Sequence, residues 1–201
     1  MIKVSEKMKV FIGSVLLMFA AQFASAAVID FDDLGDESFA QIGDGYGGFN
    51  WNVIGALSGS DYSGSGLDTA VVSGTNVAFN PFGAWSSIDL AGAGSFDFIG
   101  AWFGSYLFEQ ELAFEGWLDG VLVYSTLDTF VITSESASWI QLDWAGIDQL
   151  MIYNSLADWG VSWAMDDFTV EVHSAASVPE ASGLVLILMG LLGVGLLRRR
   201  R

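Results

Sequence analysis

Residues 111–127 constrain the fold more than any other stretch. In E-L-A-F-E-G-W-L, residues 111–118, Leu112, Phe114, Gly116 and Leu118 go to one side, while Ala113, Glu115 and Trp117 go to the other. A period of two is that of a strand with one buried face. Asp119-Gly120 follows, and both central positions of a type I′ turn need positive φ, which Gly adopts freely and Asp tolerates. Residues 121–127, V-L-V-Y-S-T-L, then read as the return strand. A lone hairpin is marginal in water, so this one needs further strands and a second layer over its apolar face.

Those strands are present on both sides. Residues 27–32 place Ile29 and Phe31 on one face and Asp30 and Asp32 on the other. Residues 49–54, 68–72, 76–79 and 96–103 read as strands, as do 139–144, 147–153 and 163–172. The Gly/Ser-rich residues 55–66 read as a long loop. No sustained helical period interrupts this series. The expected fold is all-β: an antiparallel β-sandwich, jelly-roll-like, of about ten short strands joined by Gly-rich turns.

Composition matters most through the placement of charge. All seven Lys and Arg residues lie near the two ends: Lys3, Lys7, Lys9 and Arg198, Arg199, Arg200, Arg201. Of the 24 acidic residues only Glu6 and Glu180 fall outside residues 27–173, which leaves 22 carboxylates there with one His, His173, and no Lys or Arg. Such a domain has no Lys or Arg to pair with, and carboxylates close together must be relieved by water, backbone N–H groups, protons or cations. Nucleic acid is excluded as a partner, because phosphate binding relies on Lys and Arg. The absence of Cys excludes disulfides and thiolate chemistry.

The ends read as address segments. Residues 1–26 combine a basic start, an apolar run and the small-residue site Ala24-Ser25-Ala26, the pattern of a secretory signal peptide. Residues 27–173 form the ectodomain. Residues 174–180 are a linker ending in Val178-Pro179-Glu180. Residues 181–197 are uncharged and span roughly 25 Å as a helix, the short end of a transmembrane segment. Residues 198–201 are the Arg cluster, expected on the cytoplasmic side. From physics alone the end is equally a plain tail anchor.

Val178-Pro179-Glu180, the short Gly- and Leu-rich span and the terminal Arg cluster together resemble the PEP-CTERM sorting signal of Gram-negative bacteria. Ala181 stands where that family most often has a second Pro. The resemblance implies export through the Sec translocon, cleavage by signal peptidase, residence in the inner membrane and processing by exosortase at Pro179-Glu180. Delivery to the cell surface or extracellular matrix follows, in the setting of exopolysaccharide and biofilm. A second resemblance rests on I-D-F-D-D-L, G-Y-G-G-F-N-W, G-W-L-D-G and M-D-D-F-T-V. It covers residues 28–172, is similar to carbohydrate-binding-module jelly rolls, and implies fold rather than activity.

Three chemistries are open to the residues. Asp30, Asp32 and Asp33 near the first strand and Asp166 and Asp167 on the last offer the all-oxygen donors of a structural Ca²⁺; the same residues serve equally as turn formers bonded to backbone. Trp85, Trp144, Trp159 and Tyr62, close to turns, are candidates for a carbohydrate-stacking platform; the alternative is that the Trp and Phe rings fill the sandwich core. Glu109, Glu111, Glu115 and Glu135 offer carboxylates for a glycosidase pair, but His173 beside the linker is poorly placed as a base. No nucleophile-elbow, zincin or P-loop pattern occurs. The expected function is a non-catalytic exported matrix protein, with a lectin-like polysaccharide-binding module and a secreted hydrolase as the alternatives.

Overall fold

A computed structural model describes residues 26–35, 39–154 and 161–174. In chain order the strands are β1 (Ala27–Ile29), β2 (Ala40–Gln41), β3 (Phe49–Asn52), β4 (Gly55–Ser58), β5 (Asn76–Phe79), β6 (Ser86–Leu90), β7 (Gly94–Ser105), β8 (Gln110–Leu118), β9 (Val121–Ser125), β10 (Phe130–Ile132), β11 (Ser138–Ile147), β12 (Gln149–Asn154) and β13 (Trp163–Ser174). They form two antiparallel sheets. The larger runs β11-β7-β13-β5-β4-β2, with β1 also on β13; the smaller runs β10-β8-β12-β6-β3, with β9 also on β8. The chain is an antiparallel β-sandwich. Among the described residues no helix is long and apolar enough to cross a membrane.

The hairpin at residues 111–125 forms as its residues require. Leu118 pairs with Val121, and Asp119 and Gly120 take φ of 50° and 74°. A Cβ at Gly120 would meet nothing within 4 Å, so only backbone conformation opposes a side chain there. Gly120→Ala is therefore expected to cost about 1 kcal/mol, read as a small fall in the urea midpoint with an unchanged slope.

Between the sheets lies one aromatic core. Phe168 of β13 is its hub: it stacks on Phe98 at 5.1 Å and meets Phe49 and Trp51 edge-on at 5.6 and 5.4 Å. Phe49, Ile88, Phe96, Phe103, Phe114 and Leu150 are fully buried around it. Each such side chain contributes roughly 1.5–3 kcal/mol on leaving water, and in a chain without disulfides this layer supplies the cohesion. Two buried amides pin the loops to it. Asn76 donates to Phe31 O and Gly35 O at 3.1 and 2.9 Å, and Asn80 accepts from Trp163 N at 2.6 Å while donating to Ala84 O.

Local composition misleads at two places. Residues 55–66, expected as loop, begin with β4, a buried strand. Residues 68–72, expected as strand, instead belong partly to a helical turn, α1 (Gly66–Thr69), whose N-cap Ser65 accepts from Leu67 N at 3.2 Å. The glycines here serve close approach rather than flexibility. A Cβ on Gly66 would fall 1.7 Å from the Ser105 carbonyl oxygen, and Gly66 N donates to Tyr106 O at 2.8 Å. With Leu57, Val77 and Phe79, this excursion buries a second, smaller apolar cluster.

Candidate functional site

Four strands of the smaller sheet, β3, β6, β12 and β8, turn one face to the core and the other outward. Register lines up the outward residues in two rows across them. Asn50, Asp89, Gln149 and Trp117 form one row; Asn52, Ser87, Met151 and Glu115 form the next. Tyr153 follows, opposite Ala113. These positions alternate with the buried Phe49, Trp51, Ile88, Leu150, Ile152 and Phe114, so the core itself fixes which residues look out.

The face is held in shape by two carboxylates. Glu115 Oε2 accepts from Trp117 Nε1 at 3.2 Å and from the Tyr153 hydroxyl at 2.9 Å. Asp89 accepts from Asn52 Nδ2 at 2.6 Å on one oxygen and from Gln149 Nε2 at 2.8 Å on the other. Each carboxylate offers about four lone-pair sites, so both keep acceptor capacity for further hydroxyl donors. Burial first, then the bond to Glu115, pushes the Tyr153 hydroxyl up to about 12, and it stays a donor at neutral pH. At the hairpin end, Asp89, Trp117, Gly120, Asp148 and Gln149 line a shallow cavity of about 300 Å³. Two rings flank a carboxylate, with amides and hydroxyls beside them, and the described residues hold no Lys or Arg. Such a surface can stack on the apolar faces of neutral rings and bond their hydroxyls.

The residues singled out from sequence are placed elsewhere. Trp85 is exposed, just before β6. Trp144 stacks on Tyr124 with centroids 5.3 Å apart and packs against the main core. Tyr62 meets Tyr106 edge-on at 6.0 Å and lines an apolar cavity of about 380 Å³ with Phe39, Phe79 and Phe82. These three do not share a face. Trp159 and the motif Val178-Pro179-Glu180 lie outside the described residues, as do residues 1–25 and 175–201.

The first and last strands do meet: Ala27 pairs with Val170 and Ile29 with Phe168. Their carboxylates turn mainly to backbone N–H groups of the segment 72–76. Asp32 Oδ1 accepts from Thr75 N and Asn76 N at 2.7 and 3.0 Å. Asp166 Oδ2 accepts from Val72 N and Ser73 N at 2.7 and 2.9 Å, and its Oδ1 from Asp167 N at 2.7 Å. Asp167 accepts from the Ser73 hydroxyl, Asp33 from the Tyr46 hydroxyl, and Asp30 from Asp32 N. Burial raises the Asp166 carboxyl to about 6 despite the three N–H groups that favour its anion. Among the described residues, no group of three or more His, Asp or Glu side chains is arranged to hold a metal ion. Asp32, Asp166 and Asp167 thus tie β13 and the region after β1 to the 72–76 segment as hydrogen-bond acceptors, while Asp30 and Asp33 bond locally and to Tyr46.

The carboxylates considered for hydrolysis are dispersed. Glu111 accepts from the Thr129 hydroxyl at 2.8 Å, Glu109 and Glu135 are exposed, and Glu115 anchors the two rings. His173 lies on β13, its Nε2 3.1 Å from Asp97 Oδ1, in the other sheet.

No protein-family model matches the chain, and no curated protein matches it. Among solved structures it is similar to the CBM22-1 xylan-binding domain of Paenibacillus barcinonensis Xyn10C, at 13% identity and TM-score 0.43, covering 78% of this chain and all of that one. It is also similar to the CBM22-1–CBM22-2 tandem of the same protein, at 13% identity and TM-score 0.42, covering 80% of this chain and 48% of that one. A third is TmCBM61 in complex with β-1,4-galactotriose, at 9% identity and TM-score 0.36, covering 66% of this chain and 94% of that one. The chain thus spans about half the length of the tandem structure.

Trp117 and Glu115 were legible as outward residues from the alternation of 111–118. Nothing local marks Asp89, Gln149, Tyr153 or Asn52 as their companions, because Gln149 and Asp89 are 60 residues apart in sequence.

Proposed function

We propose that this protein is an exported, non-catalytic polysaccharide-binding protein whose binding surface is the outer face of β3, β6, β12 and β8. The observation that carries the reading is the pair of rings, Trp117 and Tyr153, fixed to one oxygen of Glu115 and continued across the sheet by Gln149, Asp89 and Asn52. Their register positions lie four residues apart along β8, roughly 13 Å, enough for an extended chain rather than a single sugar. Equatorially linked pyranose chains, such as β-1,4-glucans, are flat ribbons that present ring faces to a flat platform. With 22 carboxylates and no Lys or Arg in residues 27–173, uronate-rich or sulfated chains are repelled. The ligand class is therefore a neutral, β-linked polysaccharide. Affinity electrophoresis of the full chain through gels containing hydroxyethylcellulose, soluble xylan or alginate is expected to show retardation in the neutral gels only. Equal mobility in all three would sink the reading.

The sorting reading is part of the same proposal: delivery by Sec, processing by exosortase at Pro179-Glu180, and residence at the surface or in the matrix. It is supported by the order of motif, apolar span and Arg cluster at residues 178–201. Mass spectrometry of the mature protein is expected to find a chain lacking both residues 1–26 and residues 198–201. A product that retains Arg198 and its neighbours would leave a tail anchor instead.

A further inference from the structure

The outer face of the larger sheet carries a second pair of rings. Trp102 of β7 and Trp139 of β11 are direct cross-strand partners. Both are half-buried, neither belongs to the buried clusters, and they meet edge-to-face with centroids 5.6 Å apart. Two residues before Trp102 the chain has Gly100, opposite Gln141. A Cβ at position 100 would stand 2.7 Å from Trp139 Cζ2 and 3.1 Å from its Cε2. The indole of Trp139 therefore rests against bare backbone, in space that only a glycine leaves. The ring keeps intermediate exposure, and on the far side of Trp102 lies its β13 partner Asp166, which the 72–76 segment covers. Gln141, exposed on the same strand two positions along, donates to Asp143 Oδ2 at 2.6 Å and sets a planar amide beside the ring.

We infer that Trp139 and Trp102 form a second polysaccharide platform, so that one domain joins two glycan strands. The ligand class rests on the reading in Proposed function: the rings are uncharged, the surrounding domain is anionic, and a neutral equatorially linked chain is the occupant that meets both conditions. The two platforms lie on opposite outer faces of a sandwich whose sheets pack about 10 Å apart. A stiff chain lying on one face does not reach the other, so filling both requires two chains. A domain holding one chain on each face acts as a crosslink, so many such domains join separate chains into a network.

The test uses the full chain with cellohexaose and with hydroxyethylcellulose. Calorimetry of the unaltered protein is expected to give two hexasaccharides per chain, falling to one in Trp139→Ala and to one in Trp117→Ala. Light scattering with the long polymer is expected to rise for the unaltered protein and to stay flat for either variant. Retained binding through the Trp117 face shows that Trp139→Ala is folded. One hexasaccharide per chain, lost in Trp117→Ala and unaffected in Trp139→Ala, overturns this inference and leaves the first platform standing. One hexasaccharide lost only in Trp139→Ala overturns the first platform, and with it the bridging. A dimer that Trp139→Ala converts to a monomer with hexasaccharide binding unchanged makes this face a contact between copies and overturns the inference. No binding of either probe overturns both readings.

Discussion

Trp117→Ala is expected to weaken binding of hydroxyethylcellulose to the smaller sheet by at least about 30-fold, the scale of losing a central aromatic anchor. The indole supplies the largest apolar surface of the outward rows, and its N–H is one of two donors to Glu115 Oε2. Stability should hardly change, because Trp117 is only half-buried and lies outside the core clusters. Binding and folding therefore separate in this variant. Tyr153→Phe keeps the ring and removes the hydroxyl bonded to Glu115, so a loss of only a few-fold is expected, about 1 kcal/mol. Trp85→Ala, an exposed tryptophan off these rows, should bind as the unaltered protein does. Affinity electrophoresis of the three variants decides. Equal retention of Trp117→Ala and Trp85→Ala would remove the smaller sheet from consideration.

Asp166→Ala is expected to destabilise the domain by roughly 2 kcal/mol, because it leaves the part-buried N–H groups of Val72, Ser73 and Asp167 without their acceptor. The Asp166 side chain itself is fully buried. The same carboxyl makes stability depend on pH in an unusual direction for an acid. Its ordinary value of 3.8 is raised to about 6 in the fold, chiefly by burial. Between about pH 4 and pH 6 the folded state holds a proton that the unfolded chain has released. This group's contribution is therefore fully present below pH 4, declines as pH rises through that window, and is flat above pH 6. The slope is at most about 1.4 kcal/mol per pH unit. Relief of repulsion among the other carboxylates acts in the same direction. Urea unfolding is expected to show a higher midpoint at pH 5 than at pH 7, with the difference reduced in Asp166→Asn. A midpoint that rises from pH 5 to pH 7 would contradict this account.

How far the sequence reached can be judged from particular residues. The alternation of 111–118 and the Asp119-Gly120 turn identified β8, the hairpin and the outward placement of Glu115 and Trp117. Local pattern suffices there, because a strand with one buried face writes its period into the chain. It failed at Gly55 and Gly66, where glycine marks close backbone approach to neighbouring segments and not a loop. β6 was not among the expected strands: Ile88 is buried between Ser87 and Asp89, and the strand is held by β3 and β12. The aromatic candidates chosen for nearness to turns, Trp85, Trp144 and Tyr62, went to three separate places, since turn proximity says nothing about which sheet face a ring joins.

By itself the sequence determined an all-β chain and a domain without Lys, Arg or Cys, and so without thiol chemistry, because those follow from composition and from a period of two. Only the tertiary structure decided what the carboxylates do. Asp32 and Asp166 close on backbone N–H groups of the 72–76 segment, whereas Glu115 and Asp89 face outward and position rings and amides. The chemistry of the four side chains is nearly identical. Their roles differ because long-range strand pairing, β6 to β12 to β8 on one sheet and β1 to β13 on the other, sets which partner each oxygen meets.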